Sequence, residues 1–376
     1  MQKYFRRACL AGAGLGALGG LSFAPLAAAS AQVTAPSSVY VSSKGSNANA
    51  GTSAAPYKGI QYAIDHVAPG GIVHIAAGTY RQTFLINQPV TIDGAGDTKT
   101  IISNYNDSDT TVAGGPTNAG APYYGTIGID NLSGTAGTTT VENVKVWNPF
   151  FTATEAADLT PTDIANVNDA VAGDKVVVNN VVLGGATQEI PGTTTVENNV
   201  YGSIGYYQND TTATATVENT MASGIFQAFF AEGNTSLSLT KDAVTDATPL
   251  GINGTIYPGE GVRGIADAVG TQNLSVTDST FSGYAGFGIK SEAGYTSGNC
   301  NTACVGTENL TASGNTFTLK GRTGAAAIAL LADNSTSSLS ATLTDNTGTV
   351  TSPTVGISES ATGSSLSVSE TGNTIK

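Results

Sequence analysis

The chain has 376 residues, of which 28 are acidic and 15 are basic, for a net charge of −13. Such a charge repels phosphate, and no basic stripe offsets it, so the composition argues against a nucleic-acid-binding protein. Two histidines and three cysteines leave little for a zinc site. The 47 glycines, together with abundant Thr, Ser, Asn and Val, predict β-structure with many turns.

Residues 1–31 have the pattern of an export signal. Lys3, Arg6 and Arg7 precede an apolar, Gly/Ala-rich stretch at 10–26, and Ala-Ser-Ala at 29–31 forms a small-x-small cleavage site. An uncleaved membrane anchor is the weaker alternative, because glycine and alanine dilute the hydrophobicity that a stable span needs. We therefore expect a mature chain without a membrane span that is secreted, periplasmic or held at the cell surface.

The mature chain would keep two cysteines, Cys300 and Cys304, in a polar loop. Outside the cytosol this pair predicts a local disulfide that pins the loop.

Residues 32–103 are expected to form an N-terminal cap and the first coils of the fold. The segment 39–41 alternates as a strand, and 72–75 and 90–92 are also predicted strands. Between them, 56–67 carries apolar residues at helical spacing, with Pro56 suited to a first turn. A helix at this point would cap the open end of the core.

Residues 104–376 repeat a short motif, in which an alternating strand is followed by an acid and then by Asn or another small polar residue. The copies include Thr140–Asn143, Thr195–Asn198, Thr216–Asn219, Val276–Ser279 and Leu343–Asn346. Units this short cannot bury an apolar face alone, so they must stack as a solenoid. A propeller blade is longer, and a sandwich gives no reason for an Asn at each turn. In a solenoid every coil turns the same corner, where Asn tolerates a left-handed backbone and can bond its neighbour.

A second repeated motif is a Gly-rich apolar strand that ends in a polar or acidic residue. The series is Asp130, Gln208, Glu232, Asp267, Glu292, Asp333 and Glu359. If coils stack about 4.8 Å apart, these side chains would form a carboxylate ladder along one edge. Paired carboxylates at such spacings suit glycoside hydrolysis, and two or three around calcium would suit a lyase. Glu232, Asp267 and Glu292 are the candidate catalytic residues; the alternative is that solvated acids simply keep an exported protein soluble.

Basic and aromatic side chains accompany these strands. Arg263 and Lys290 are candidates for a base or a clamp on an acidic substrate. Tyr206, Tyr207 and Tyr284 could stack on sugar rings, although such residues are often core filler.

Residues 39–103 carry a series of short motifs in order. They include Tyr40-Val41-Ser42, Ala55-Pro56-Tyr57, Pro69-Gly70-Gly71, Ala77-Gly78-Thr79-Tyr80 and Gly94-Ala95-Gly96. This region resembles the N-terminal part of right-handed parallel β-helix proteins of the pectin-lyase-like superfamily, such as bacterial pectinesterases. The resemblance implies an all-β, right-handed parallel β-helix and a link to an acidic polysaccharide such as pectin. The catalytic motifs of pectinesterases and polygalacturonases are absent, so the resemblance leaves the activity open.

Two hypotheses for the function follow. The first is a polysaccharide lyase, a pectinesterase-like enzyme or a glycoside hydrolase; no cofactor is required, and calcium is the one candidate. The second is a non-catalytic surface, adhesion or structural protein. The expected partner in both is a polysaccharide or a cell-surface glycan. We also expect the last coil to be covered, either by self-association or by a partner.

Overall fold

The computed structural model describes most of the chain from residue 35 onward. The described residues are 35–103, 117–118, 121–122, 125–147, 162–167, 171–184, 204–209, 211–247, 250–252, 255–257, 259–266, 270–294, 306–321, 324–333, 336–351 and 353–376. The expected signal peptide, Asp267, Cys300 and Cys304 lie outside these ranges, so the signal peptide and the disulfide stay predictions.

Nearly all described strands belong to three parallel sheets. Sheet 1 contains Ser38–Val41, Ile72–Ile75, Thr91–Gly94, Thr138–Glu142, Lys175–Asn179, Thr214–Glu218, Ser236–Thr240, Gly270–Thr277, Gly306–Ser313, Ser338–Thr344 and Ser365–Thr371. Sheet 2 contains Gly78–Arg81, Thr100–Ser103, Lys145–Trp147, Val182–Gly184, Met221–Ser223, Ala243–Thr245, Thr280–Tyr284, Thr316–Lys320, Thr347–Thr351 and Thr374–Ile375. Sheet 3 contains Phe84–Ile86, Gly125–Ile129, Thr162–Val167, Ile204–Asn209, Gln227–Glu232, Glu260–Ala266, Phe287–Ala293, Ala326–Asp333 and Val355–Thr362. Two short antiparallel pairs stand apart: Thr117–Asn118 with Ala121–Pro122, and Leu250–Ile252 with Thr255–Tyr257.

In each coil the chain contributes one strand to sheet 1, then one to sheet 2 and one to sheet 3, before the next coil begins. Each strand pairs in parallel with its equivalents one coil before and one coil after, as when Val141 pairs with Ile92 and with Val178. Parallel pairing of this kind excludes an antiparallel sandwich. The three sheets fit the right-handed parallel β-helix that the repeats and the resemblance predicted.

The core is the inside of the coil. In sheet 1 the strands alternate, and their inward residues form apolar rows such as Ile92, Val141, Val178 and Val217, none of which is exposed. Each such side chain contributes roughly 1.5–3 kcal/mol on burial. Because one coil covers the next, the repeat buries a continuous apolar column that no single unit could form.

The corner between sheets 1 and 2 has the left-handed backbone that the Asn motif predicted. The residue after each sheet 1 strand has positive φ at Asn143 (58°), Asn180 (53°) and Asn219 (52°). The Asn180 amide donates to Asn143 Oδ1 at 2.8 Å, and the Asn143 amide donates to Asp93 Oδ1 at 2.9 Å. Side-chain bonds between coils at this corner are thereby confirmed.

One helix lies in the predicted capping segment, but it is short. It spans Ile60–Ile64 rather than 56–67, and it buries Ile60, Ala63 and Ile64. One turn is too short to be stable alone, so its packing on the core holds it. A capping role for this helix stays a prediction. Among the described residues, no helix is both long and apolar enough to cross a membrane.

Candidate functional site

Four of the predicted site residues lie together on sheet 3. Arg263 pairs with Lys290 in the next coil. Glu232 and Glu292 share one register position, two coils apart, with Ile265 between them. Asp267 lies outside the described residues, so its place in this arrangement stays open.

The acids at the strand ends do not form one continuous ladder. Glu292 pairs with Leu331, while Glu359 pairs with Leu330 and Asp333 pairs with Thr362, so these acids occupy other register positions. Gln208 points inward, where its amide donates to the Ala213 carbonyl at 3.1 Å. The strands themselves stay in register, but their last acids stand at different positions along them, which a sequence motif does not reveal.

The three candidate tyrosines are separated. Tyr206 lies in the main hydrophobic core and is not exposed. Tyr207, the next residue, lies in a second cluster with Ile204, Phe230 and Ile265, and its hydroxyl donates to Glu232 Oε2 at 2.6 Å. Tyr284 ends a strand of sheet 2 rather than sheet 3. Tyr207 therefore contacts a candidate carboxylate, whereas Tyr206 is a core residue.

Sheet 3 also brings a further acid, Glu260, to the same place. Arg263 lies 2.8 Å from Glu292 Oε2 through its Nη2 and 3.6 Å from Glu260 Oε2 through its Nε. Lys290 Nζ lies 3.3 Å from Glu260 Oε1 and 2.8 Å from Glu292 Oε1. Two carboxylates thus share the same two cations. We call Glu260, Arg263, Lys290 and Glu292 the charged quartet.

Strict alternation along the strand would have placed Glu260 on the opposite side from Arg263, three residues later. The structure differs because two consecutive residues face the core. Val262 is a core residue, and a Cβ on Gly261 would lie 2.8 Å from the buried Phe281 ring. Glu260 and Arg263 therefore lie on the same face. The signal that could have suggested this is the glycine between them, since an isolated Gly in a strand often marks a bulge.

Aromatic rings and amides surround the quartet. The Arg263 guanidinium lies over the Phe230 ring at 5.5 Å, and Lys290 Nζ lies 5.2 Å from the Phe287 ring centre. The Gln227 amide donates to Glu260 Oε2 at 2.6 Å. Both cations therefore combine ion pairs with cation–π contacts, which are stronger where water is excluded.

The quartet is nearly withdrawn from water. The side chains of Glu260 and Glu292 are each 4% exposed, and those of Arg263 and Lys290 are 15% and 13% exposed. Removing four charges from water is costly, and well-packed apolar residues are often as stable in their place. The next coil has Ala329 and Leu331 at the equivalent positions, so stacking does not require these charges. This makes the quartet a candidate functional site.

A further carboxyl lies inside the coil beneath the quartet. Glu308 is fully buried and accepts a hydrogen bond from the Ser291 hydroxyl at 2.8 Å. Burial raises the pKa of Glu308 well above its usual range, and the charge of Glu292 raises it further. Burial also raises the pKa of Asp130 at the N-terminal side of sheet 3.

Within the part of the chain that the structure describes, no three His, Cys, Asp or Glu side chains are grouped so as to hold a metal ion. At the quartet itself, Arg263 and Lys290 already neutralise the two carboxylates. The residues there do not fit calcium, which prefers uncompensated oxygen ligands.

Two cavities lined by described residues lie away from the quartet. One of about 380 Å³ lies on the outer face of sheet 2, and a neighbour of about 460 Å³ adjoins it. These two cavities therefore do not coincide with the quartet. For a reaction the quartet is the stronger candidate, because it brings two buried carboxylates and two cations together; for binding, the cavities matter.

The stacked coil defines the class of protein as a right-handed parallel β-helix. No protein-family model and no curated protein matches the chain. Among solved structures, the pectin methylesterase from carrot is 13% identical, with 90% of this chain and 82% of that chain covered and a TM-score of 0.43. A lacto-N-biosidase from Eubacterium ramulus is 13% identical over 88% and 68% of the two chains, with a TM-score of 0.43. The pectin methylesterase of Erwinia chrysanthemi is 12% identical over 75% and 80%, also with a TM-score of 0.43. At these identities the likeness concerns the fold alone.

Proposed function

We propose that this is an exported, carbohydrate-active β-helix protein whose reactive centre is the charged quartet on the outer face of sheet 3. The observation that carries the proposal is the pairing of Glu260 and Glu292. One ammonium, that of Lys290, contacts both, so Glu260 Oε1 and Glu292 Oε1 are at most about 6 Å apart. This upper limit is compatible with the roughly 5–5.5 Å between the carboxyl groups of retaining glycoside hydrolases.

In such a reaction one carboxylate attacks the anomeric carbon while the other protonates the leaving glycosidic oxygen; water then releases the sugar. The carboxyl that acts as the acid must first exchange a cation contact for a proton. Phe230, which lies under Arg263, also contacts Tyr207, with ring centres 5.1 Å apart. Tyr207 and its hydrogen-bond partner Glu232 therefore lie beside the quartet and would orient the saccharide. Exclusion of water from the centre strengthens each electrostatic interaction there.

The test is an activity assay on the full chain with polygalacturonate, methyl-esterified pectin and neutral oligosaccharides, with and without calcium. New reducing ends report hydrolysis, an unsaturated product reports elimination, and methanol reports esterase activity. We expect Glu260→Gln and Glu292→Gln to lower a hydrolytic rate about 10²–10⁴-fold. Glu359→Gln is the matched control, because it makes the same change at an exposed position of sheet 3.

A second function is favoured by the same geometry. All the carboxylate oxygens of Glu260 and Glu292 already have a cation or amide partner, as a purely structural clamp on a surface or adhesion protein would have. If no product forms from any of these substrates with the wild-type chain, the hydrolytic proposal is refuted and this second function stands.

A further inference from the structure

The C-terminal coils carry a regular set of hydroxyl groups on the outer face of sheet 2. The strand Thr316–Lys320 shows the pattern, since Phe317 and Leu319 lie in the core while Thr316 and Thr318 are exposed. The equivalent outward residues of successive coils form two columns. The first column contains Thr280, Thr316, Thr347 and Thr374. The second contains Thr245, Ser282, Thr318 and Thr349. We call these eight residues the threonine array.

The strand register fixes the spacing of the array. Each column is an unbroken series of parallel pairs, as when Thr316 pairs with Thr280 and with Thr347. Neighbours in a column are therefore about 4.8 Å apart, and the two columns are separated by two residues of strand, about 6.6 Å. Four coils make a column about 14 Å long. The array is thus a two-dimensional lattice of hydroxyl groups.

The hydroxyls are held in direction but open to solvent. Seven of the eight side chains are exposed, and Ser282 is half-buried. Thr245 Oγ1 and Ser282 Oγ lie 3.3 Å apart, whereas the other six threonine hydroxyls have no hydrogen-bond partner within the described part of the chain. Because threonine is β-branched, its χ1 is restricted and its hydroxyl and methyl groups keep their directions. Each hydroxyl offers one donor and two acceptor sites.

The fold does not require threonine at these positions. Threonine favours strands in general, but earlier strands of sheet 2 carry other residues in the same two lines. Lys145 and Met221 lie in line with the first column, and Gly184 lies in line with the second. The array is therefore a local feature of the C-terminal coils rather than a consequence of coil stacking.

The array is uncharged on a protein whose net charge is −13. Along the strand that contains Thr318, the next outward residue is Lys320, which lies outside the array. A charged polymer finds no opposite charges within the array, and a second copy would bring two chains of net charge −13 together. The partner that complements the array is neutral, forms hydrogen bonds and repeats at the same two intervals.

We propose that the threonine array binds ice. Oxygen atoms in the ice lattice repeat at nearly these two intervals along two directions, and they offer donors and acceptors without net charge. The threonine hydroxyls bond to the water molecules of the lattice, and the methyl groups fill the spaces between them. The array lies on a different sheet from the charged quartet, so ice binding stands whether or not the quartet is catalytic.

The test measures how much of the full chain enters growing ice. A cooled probe grows an ice hemisphere in the protein solution, and the protein is then measured in the ice and in the remaining liquid. We expect the wild type to be enriched in the ice. Thr318→Tyr should lower the incorporated fraction about tenfold, because the ring keeps the lattice away from several hydroxyls at once. Thr316→Tyr should act in the same way, and Thr318→Ser, which keeps the hydroxyl, should have a smaller effect.

Three controls accompany these variants. Thr138→Tyr makes the same change at an exposed position of sheet 1 and should leave the incorporated fraction unchanged. Glu260→Gln should also leave it unchanged, since it alters only the quartet, and this separates the inference from the proposed function. Urea midpoints equal to that of the wild type check that the outward tyrosines do not disturb the coil.

Four outcomes would overturn the inference. Exclusion of the wild type from ice denies binding. Equal incorporation of the wild type and both tyrosine variants assigns it to another surface. A dimer that Thr318→Tyr converts to a monomer in sedimentation assigns the array to a second copy. Binding to insoluble cellulose that Thr318→Tyr abolishes, without incorporation into ice, assigns the array to a neutral polysaccharide.

Discussion

A buried aspartate at the sheet 1–sheet 2 corner gives a quantitative prediction. Asp242 follows the left-handed residue Lys241 and is 2% exposed. Its Oδ1 accepts the Thr220 backbone N–H at 2.8 Å, while its Oδ2 has no hydrogen-bond partner. Later coils have asparagine at the equivalent position, as at Asn315 and Asn346. Asp242 is therefore an acid in a position that elsewhere holds an amide.

The later coils show what the missing partner is. The Asn315 amide donates to the Val276 carbonyl of the preceding coil at 2.9 Å. Asn315 follows Ala312 by three residues, and Ala312 pairs with Val276. Asp242 likewise follows Leu239 by three residues, and Leu239 pairs with Val217. Val217 therefore occupies the same position relative to Asp242. A proton on Asp242 Oδ2 would make the equivalent bond to the Val217 carbonyl. The carboxylic acid then takes the place of the amide.

Burial raises the pKa of Asp242 from 3.8 to about 8, and the charge of Glu218 raises it as well. Between these two values the folded state holds a proton that the unfolded chain has lost. The stabilisation that protonated Asp242 contributes is therefore fully present below about pH 4 and is lost as the pH rises through about 8. At about 1.4 kcal/mol per pH unit, the upper limit of the loss is roughly 5–6 kcal/mol.

The variant Asp242→Asn should remove this dependence. Urea unfolding of both proteins between pH 4 and 9 measures it, and the difference between the two curves cancels contributions from the other carboxyls. We expect the free energies of unfolding to be similar near pH 4 and the variant to be more stable by several kcal/mol above pH 8. Asp242→Ala, which loses the Thr220 bond at every pH, is the control. A difference that stays constant across the range would refute the reasoning.

Three further predictions concern the coil and the quartet. Asn180→Ala should lower the free energy of unfolding by about 2 kcal/mol, since it loses the hydrogen bond to Asn143 and strains a left-handed residue. Asn180→Gly loses only the hydrogen bond and should cost about half as much. Equal urea midpoints for the two variants would contradict this. Gly94→Ala should destabilise by about 3 kcal/mol, because its Cβ would overlap the Asn143 carbonyl of the next coil; an unchanged melting temperature would show that the backbone adjusts. Arg263→Met should lower the free energy of unfolding by about 3–5 kcal/mol, because it removes one of the two cations that pair with the buried carboxylates. A urea midpoint equal to that of the wild type would show that the carboxylates are hydrated instead.

Several features could be predicted from the sequence because the coil repeats them. A residue type that recurs after several alternating strands must meet the same backbone geometry each time, so Asn143, Asn180 and Asn219 indicated the left-handed corner. Later coils have other residues with positive φ at this corner, such as Lys241 and Asp278. The apolar strands that end in acids were likewise predicted, and Glu232 and Glu292 do lie at the same register position. The fold could be predicted because the same pattern recurs in several units, so that each copy supports the same assignment.

The candidate site could be predicted only in part. Glu292 was identified as an acid at a strand end, and Arg263 and Lys290 as basic residues of these strands. Glu260 was not identified, because Gly261 and Val262 both face the core and break the alternation. Tyr206 and Tyr207 are adjacent tyrosines that the sequence did not distinguish. In the structure Tyr206 lies in the core, whereas Tyr207 contacts Glu232.

The sequence by itself determined that the chain winds into stacked coils and that asparagine turns one corner, because those properties belong to each repeat separately. The tertiary structure alone decided which side chains meet across coils. Arg81, Trp147 and Gly184 are far apart in the chain and share one row only because loops of unequal length still return each strand to the same register. Contacts between coils depend on the sum of all the intervening loops, which no local pattern contains.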